Sequence, residues 1–356
     1  MTTISARPVV VEDPADRPAV NSGAATDYRD VVAADPWARV RLALVGLYVV
    51  GYVVWFKVYG LIIDRISVLI SVAILLVLSH VGRSLSRWGR LAVDGVLYSS
   101  MWILYDQSRG IADGLGRPLQ VESVRNIDRF LFLGNDPSVW LQRHFYSRAV
   151  VRWYDVAGSI TYYTHFVVPI AAIVVLWITD RREWVRFMRR FASVLLIACV
   201  LFVIVPTAPP WMAAGGSSQH QLQALPALAR PTARGWFHLD LTGFVRAWET
   251  GLDWTNPVAA MPSLHASFSL FVVVFFFPWV RRWPLRVAFL AFPVAMAFSI
   301  VYFAEHYVAD VFAGWAIVGA SFLVWNRVEL RARSRRREMS SAAFATLGSR
   351  IAPSPP

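Results

Sequence analysis

Two histidines and an aspartate hold the chemistry this sequence offers. His265 stands in "NPVAAMPSLHA" (residues 256–266), where a polar loop gives way to an apolar run, and His306 stands in "YFAEHYVADVFAG" (residues 302–314). Asp310 follows His306 by four residues; on a helix that spacing puts carboxylate and imidazole on one face, within reach of each other. A carboxylate on one ring nitrogen fixes the tautomer and leaves the other nitrogen as nucleophile or base. The histidines are 41 residues apart, which is what one membrane span and its return require at about 1.5 Å per residue. Both rings therefore come back to the same face. Ionisable groups at the ends of spanning helices are costly unless paired or functional, and here three converge.

Phosphoryl transfer suits such a set. A helix start such as Pro262-Ser263-Leu264-His265 offers free backbone N–H groups and a positive dipole end to an anion, with Ser263 as a further substrate contact. One imidazole could attack phosphorus while the other protonates the departing oxygen, giving a covalent phosphohistidine that water or an alcohol then resolves. Two histidines and one aspartate could also ligate a metal, but nothing nearby supplies a further ligand set, so neither metal nor cofactor is expected.

The elements that must position these residues are membrane helices. Of 356 residues, 56% are apolar and 16% charged, and the mean hydropathy is positive, too apolar for a water-soluble globule of this length. Inside lipid every backbone polar group must be satisfied within its segment, which selects helices over an open sheet. Eight apolar runs qualify, at about 38–57, 62–82, 91–107, 157–179, 188–206, 262–280, 285–304 and 307–326. The second, with Asp64 and Arg65 at its mouth, and the third, with Asp94, are the weakest. The fold class is thus an all-α polytopic bundle of about eight (six to eight) transmembrane helices. The segment 121–150, amphipathic and broken by Gly134 and Pro137, reads as one or two interfacial helices on the extracytoplasmic side.

The net charge of +12 is almost all arginine in short connectors, which speaks for topology rather than nucleic acid. Connectors 82–90, 180–190, 281–286 and 326–338 fall on one side of the eight-span scheme, the cytoplasm by the positive-inside rule, with both termini there. The histidines then face outward. Residues 1–36 and 329–356 read as disordered cytoplasmic tails around a membrane-embedded domain of residues 37–328. The single cysteine, Cys199, excludes an intrachain disulfide. Arginine bias and high alanine point to a GC-rich genome, hence a bacterial plasma membrane.

"PSLH" and "HYVAD" resemble the second and third signature motifs of the type 2 phosphatidic acid phosphatase superfamily. "FLGNDPSVWLQ" (132–142), "YYTHFVVP" (162–169), "VPTAPPWMA" (205–213) and "NPVAAMPSLHA" resemble its inositol phosphorylceramide synthase branch. The likeness runs from about Tyr105 to Gly319. It implies His306 as nucleophile, Asp310 as its orienting partner and His265 as acid on the leaving group. Three departures stand out. Ile300 occupies the position of the superfamily's third-motif arginine, Leu264 that of the glycine before the second-motif histidine, and Gln223 that of the first-motif lysine, so Arg230-Pro231 reads as an accidental match. Fewer cations favour a monoanionic phosphodiester over a dianionic phosphomonoester.

Arg109, with Asp106 three residues before it, and His165, near the outer opening of the fourth span, are the remaining candidates for substrate contact. The "TAPPW" stretch reads as scaffold. The expectation is a metal-independent membrane lipid phosphotransferase with an inositol-like or other alcohol acceptor. The alternatives are a lipid phosphate phosphatase using water and, from another class, a lipid or small-molecule transporter, for which Asp94 is the main support.

Overall fold

A computed structural model describes residues 35–59, 62, 65–115, 117–215, 224–241, 243, 245 and 258–351. All eight apolar runs are helical: α1 (Ala38–Tyr59), α2 (Arg65–His80), α3 (Leu85–Gly114), then, after the two short helices α4 (Glu122–Leu131) and α5 (Pro137–Phe145), α6 (Trp153–Thr179) and α7 (Arg181–Ile204). Two further short helices, α8 (Pro210–Gly215) and α9 (Arg234–His238), precede α10 (Leu264–Phe276), α11 (Trp283–Tyr302) and α12 (Val308–Ile351). Helices α1, α6, α7, α11 and the Val308–Arg335 part of α12 are long and apolar enough to cross a membrane; α2 and α10 are shorter apolar helices. The chain is an all-α polytopic membrane bundle. The last helix continues regularly to Ile351 through the basic segment after residue 328.

Helix α10 lies at the centre, against α6, α7, α11 and α12. Its face toward α7 and α12 stacks Phe268, Phe271 and Phe275 against Phe187, Phe191 and Val318. Helices α1 and α2 pair with each other and join the bundle through α3. The apolar side chains of α1, such as Leu42, Leu47 and Val54, point outward. In lipid such a face needs no protein cover, and helices associate by packing instead. Helices α10 and α12 approach closely: a Cβ on Gly314 would lie 2.5 Å from the Ser263 carbonyl oxygen and 2.8 Å from Ser267 Oγ. Ser267 Oγ shares its proton between the Ser263 carbonyl of its own helix start (2.7 Å) and the Gly314 carbonyl across the crossing (3.1 Å). Gly314→Ala is therefore expected to lower stability by about 1–3 kcal/mol through overpacking. It should also reduce turnover by more than the stability loss explains, because the two helices carry one histidine each; thermal melts and rates on the same preparation check this.

The arginine-rich connectors gather at one end. Asp94 of α3 pairs with Arg181 (Oδ1 to Nη2, 2.7 Å) and accepts from Trp177 Nε1 at 2.9 Å, while Arg190 of α7, 1% exposed, pairs with Glu329 of α12 at 2.8 Å. The opposite ends of these helices meet around three loops. Thr207 bridges Gln120 on one side and Ala259 on the other, with Thr207 N donating to the Val258 carbonyl at 2.8 Å and Ala208 N to the Gln120 carbonyl at 3.2 Å. These loops brace the end where α10 and α12 begin. The amphipathic segment 121–150 supplies α4 and α5, parted at Gly134, whose φ of +90° suits glycine.

Candidate active site

Helix α10 starts because Ser263 caps it: Ser263 Oγ accepts from Ala266 N at 3.3 Å. Ser263 N donates to the Asp310 carbonyl at 3.0 Å, which locks the start of α10 to that of α12. His265 follows in the first turn. Asp310 lies in the first turn of α12, and its Oδ2 accepts from Tyr307 N at 2.9 Å. His306 sits just before that helix, so its position depends on how α12 begins.

The geometry brings the two rings into contact. His306 Nε2 lies 3.3 Å from His265 Nδ1, with ring centroids 5.4 Å apart. His306 Nδ1 lies 3.4 Å from Asp310 Oδ2, a close approach without hydrogen-bond alignment. Tyr162 stacks on His265 at 4.5 Å. His165 packs 4.0 Å from His265 and 5.1 Å from Phe268, ring to ring, so the third predicted histidine is also here. His265 Nε2 and His165 Nδ1 are buried atoms without a hydrogen-bond partner among the described residues. Ser263 is fully buried and engaged in capping. Asp106 and Arg109 fall near the end of α3 close to the three loops, but their side chains lie outside the described residues, as do Gln223, Asn256 and Pro257.

Sequence reasoning passed over two groups that the fold brings in. Arg230, read as an accidental match, makes a two-pronged pair with Glu305 (2.5 and 3.0 Å), the residue before His306, and stacks over Trp211 at 4.4 Å. The signal was the Arg-Pro pair itself, which Gln223 disguised. Ile300, at the missing third-motif arginine, is fully buried in an apolar cluster with Met296 and Tyr302, while its carbonyl accepts from Glu305 N (2.9 Å) and His306 N (3.2 Å). Between them Ala304 adopts φ +58°, a conformation costing roughly 1–2 kcal/mol in a non-glycine residue. Gln142 of α5 holds this turn from outside, its Nε2 donating to the carbonyls of Tyr302 and Ala229 at 2.8 Å each.

The second group is Asp128 of α4. Its carboxylate accepts from Val308 N (2.9 Å) and Ala309 N (2.8 Å), capping α12 from 180 residues away. Burial, together with the charge of Asp310, pushes its pKa up to about 6, against the pull of those two N–H groups. With the folded value above the unfolded one, its contribution to stability is full below the unfolded carboxylate pKa and is lost as pH rises through about 6. The melting-temperature difference between Asp128→Asn and wild type should therefore move in the variant's favour between pH 4 and 7. Its kcat should fall roughly tenfold with KM held, since one carbonyl oxygen replaces two acceptors at the start of α12.

The chain is 28% identical over 250 residues to the phosphoinositol dihydroceramide synthase of Bacteroides thetaiotaomicron, covering 68% of this chain and 79% of that protein. No solved structure gives a significant match. The family model described as the PAP2 superfamily matches residues 123–324, which include α4 through most of the membrane part of α12, both histidines, Asp310, Arg230 and Asp128. A match over more than half the sequence makes this chain a member of the PAP2 superfamily, a family of lipid phosphatases and phosphotransferases.

Proposed function

We propose that the protein is a phosphotransferase that moves a phosphate-bearing headgroup from a lipid phosphodiester to an alcohol through a phosphohistidine. The observation that carries this is the chain of contacts from Asp310 to His306 to His265, 3.4 and 3.3 Å. In the first step His306 Nε2 attacks phosphorus, the bond to the leaving alkoxide breaks, and His265 delivers the proton to that oxygen. In the second, His265 takes the proton of the acceptor hydroxyl as its oxygen displaces His306 from phosphorus. Asp310 holds the Nδ1 side of His306 throughout, steadying the positive charge that develops on the ring. The phosphoryl group is bound between His306 Nε2 and His265 Nδ1, 3.3 Å apart. Arg230, tethered through Glu305, is the cation suited to a non-bridging phosphoryl oxygen.

Arg230, the guanidinium placed beside the histidines among the described residues, suits a monoanionic diester. The relative named for phosphoinositol dihydroceramide synthesis supports an inositol-bearing headgroup and a lipid or sugar-alcohol acceptor. The arginine connectors support a site that faces outward and termini in the cytoplasm, and the arginine bias and high alanine support a bacterial plasma membrane, with residues 37–328 as the working domain. The transporter alternative loses its main support, because Asp94 is paired with Arg181 and Trp177.

The test is a product assay on purified protein in detergent. One arm supplies phosphatidic acid, the other phosphatidylinositol with ceramide or inositol as acceptor. The expected result is headgroup transfer in the second arm and little free phosphate in the first. Rapid phosphate release from phosphatidic acid without transfer would establish the phosphatase alternative.

A further inference from the structure

At the end of the bundle away from the histidines, α7 and α12 line a cleft of about 540 Å³ whose polar walls are Arg181, Arg182, Arg186, Arg189, Arg333 and Glu329. Its charges do not balance. Arg181 is engaged by Asp94 and Arg186 by Glu183 at 2.8 Å. The single lining carboxylate, Glu329, is shared between Arg186 (3.5 Å) and the buried Arg190 behind the wall (2.8 Å). Among the described residues no carboxylate lies within ion-pair distance of Arg182, Arg189 or Arg333. Three guanidinium groups from two helices are thus left facing one cleft.

The surroundings indicate what neutralises them. Arg181 lies over the buried Trp184 at 4.4 Å, and Arg189 lies 5.6 Å over the half-buried Trp325, whose Nε1 donates to Ser193 Oγ at 2.9 Å. A half-buried tryptophan such as Trp325, apolar on one side and hydrogen-bonded on the other, suits the headgroup level of a bilayer. Val185 and Ala332 give the cleft an apolar side. A purely soluble anion would have no use for such a wall, whereas a phospholipid fills both parts at once. Glu329 lies 21 residues along α12 from Val308, about 32 Å at the helical rise, so the cleft is separate from the reacting histidines.

We propose that this cleft binds the phosphate headgroup of an anionic glycerophospholipid from the leaflet opposite the active site. The bound phosphodiester bridges Arg182 and Arg189 of α7 to Arg333 of α12 and removes the repulsion between their like charges, holding the two helices together at that end. Basic pockets between membrane helices on the cytoplasmic side are suited to anionic headgroups at about a fivefold gain in affinity per arginine.

The test uses the full-length protein, delipidated in detergent and titrated with phosphatidylglycerol or phosphatidylcholine, with retained lipid counted by native mass spectrometry and melting temperature followed in parallel. One phosphatidylglycerol per chain should be retained and raise the melting temperature; phosphatidylcholine should do neither. The variant R182Q/R189Q/R333Q should bind on the order of 100-fold more weakly while keeping basal turnover, which also shows that it folds, and R182K/R189K/R333K should recover most of the affinity. A control with the same charge loss on that face, R281Q/R282Q/R335Q, should bind as wild type does. Equal retention in the Gln triple, or equal loss in the control, would overturn the site. Displacement of the lipid by glycerol 3-phosphate at comparable concentration would overturn the assignment to a lipid in favour of a soluble phosphate.

Discussion

His306→Ala is expected to reduce turnover by about 10⁴-fold or more with the fold intact, and His265→Ala by about 10² to 10⁴-fold, as befits loss of a nucleophile and of a general acid. The two losses should differ in kind. A donor with a good leaving group, such as a 4-nitrophenyl phosphodiester, needs no proton on the departing oxygen. It should restore the first step in His265→Ala, seen as a burst of 4-nitrophenol, and leave His306→Ala inactive. Acid-labile phosphate should accumulate on His265→Ala and be absent from His306→Ala. A burst in the His306 variant, or none in the His265 variant, would reverse or remove the assigned roles. Both rings are anchored by packing as well as chemistry, through Tyr162 and His165 on one side and the start of α12 on the other, so circular dichroism and melting should stay close to wild type.

The second large effect concerns Arg230 and Glu305. Glu305 is only 8% exposed on its side chain and paired to Arg230 at 2.5 Å. Arg230→Met leaves that carboxylate buried without its partner, a change that costs about 3–5 kcal/mol. Replacing both residues with methionine removes the stranded charge, and most of the melting temperature should return. Activity should not, because the guanidinium proposed to grip the phosphoryl oxygen is still missing. A purely structural pair would give the opposite pattern, with rates recovering along with stability in the double variant. Comparing melting temperature and kcat/KM across the two single variants and the double variant separates these cases.

How much of this was legible in the sequence follows from how far each signal reaches. Span positions are properties of local hydropathy, and all eight apolar runs became helices; five of them are long and apolar enough to cross a membrane, while α2 and α10 are shorter and α3, with Asp94 and Asp106, is long but less apolar. The four-residue spacing of His306 and Asp310 brings them within 3.4 Å, although His306 lies in the turn before α12 and not on its face. His265 came to the same place because one helix out and one back returns the chain to its starting face. What escaped was made by side chains that act across the fold. Asp128 caps a helix 180 residues later, Gln142 holds a carbonyl 160 residues away, and Arg230 reaches Glu305 over 75 residues. Nothing in their neighbours marks them, since an aspartate inside an amphipathic helix looks the same whether it faces water or another helix's N–H groups. Asp94 misled for the same reason: its partner Arg181 lies 87 residues on, at the far end of another span.

The account turns on one phosphorus atom held between His306 and His265, and a vanadate-bound structure of the purified protein measures this most directly. The expected result is trigonal-bipyramidal vanadium bonded to His306 Nε2, with a His265 ring nitrogen against the opposite apical oxygen and Arg230 on an equatorial one. Vanadium bonded to any other residue, or seated where only one of the two imidazoles reaches it, would contradict it.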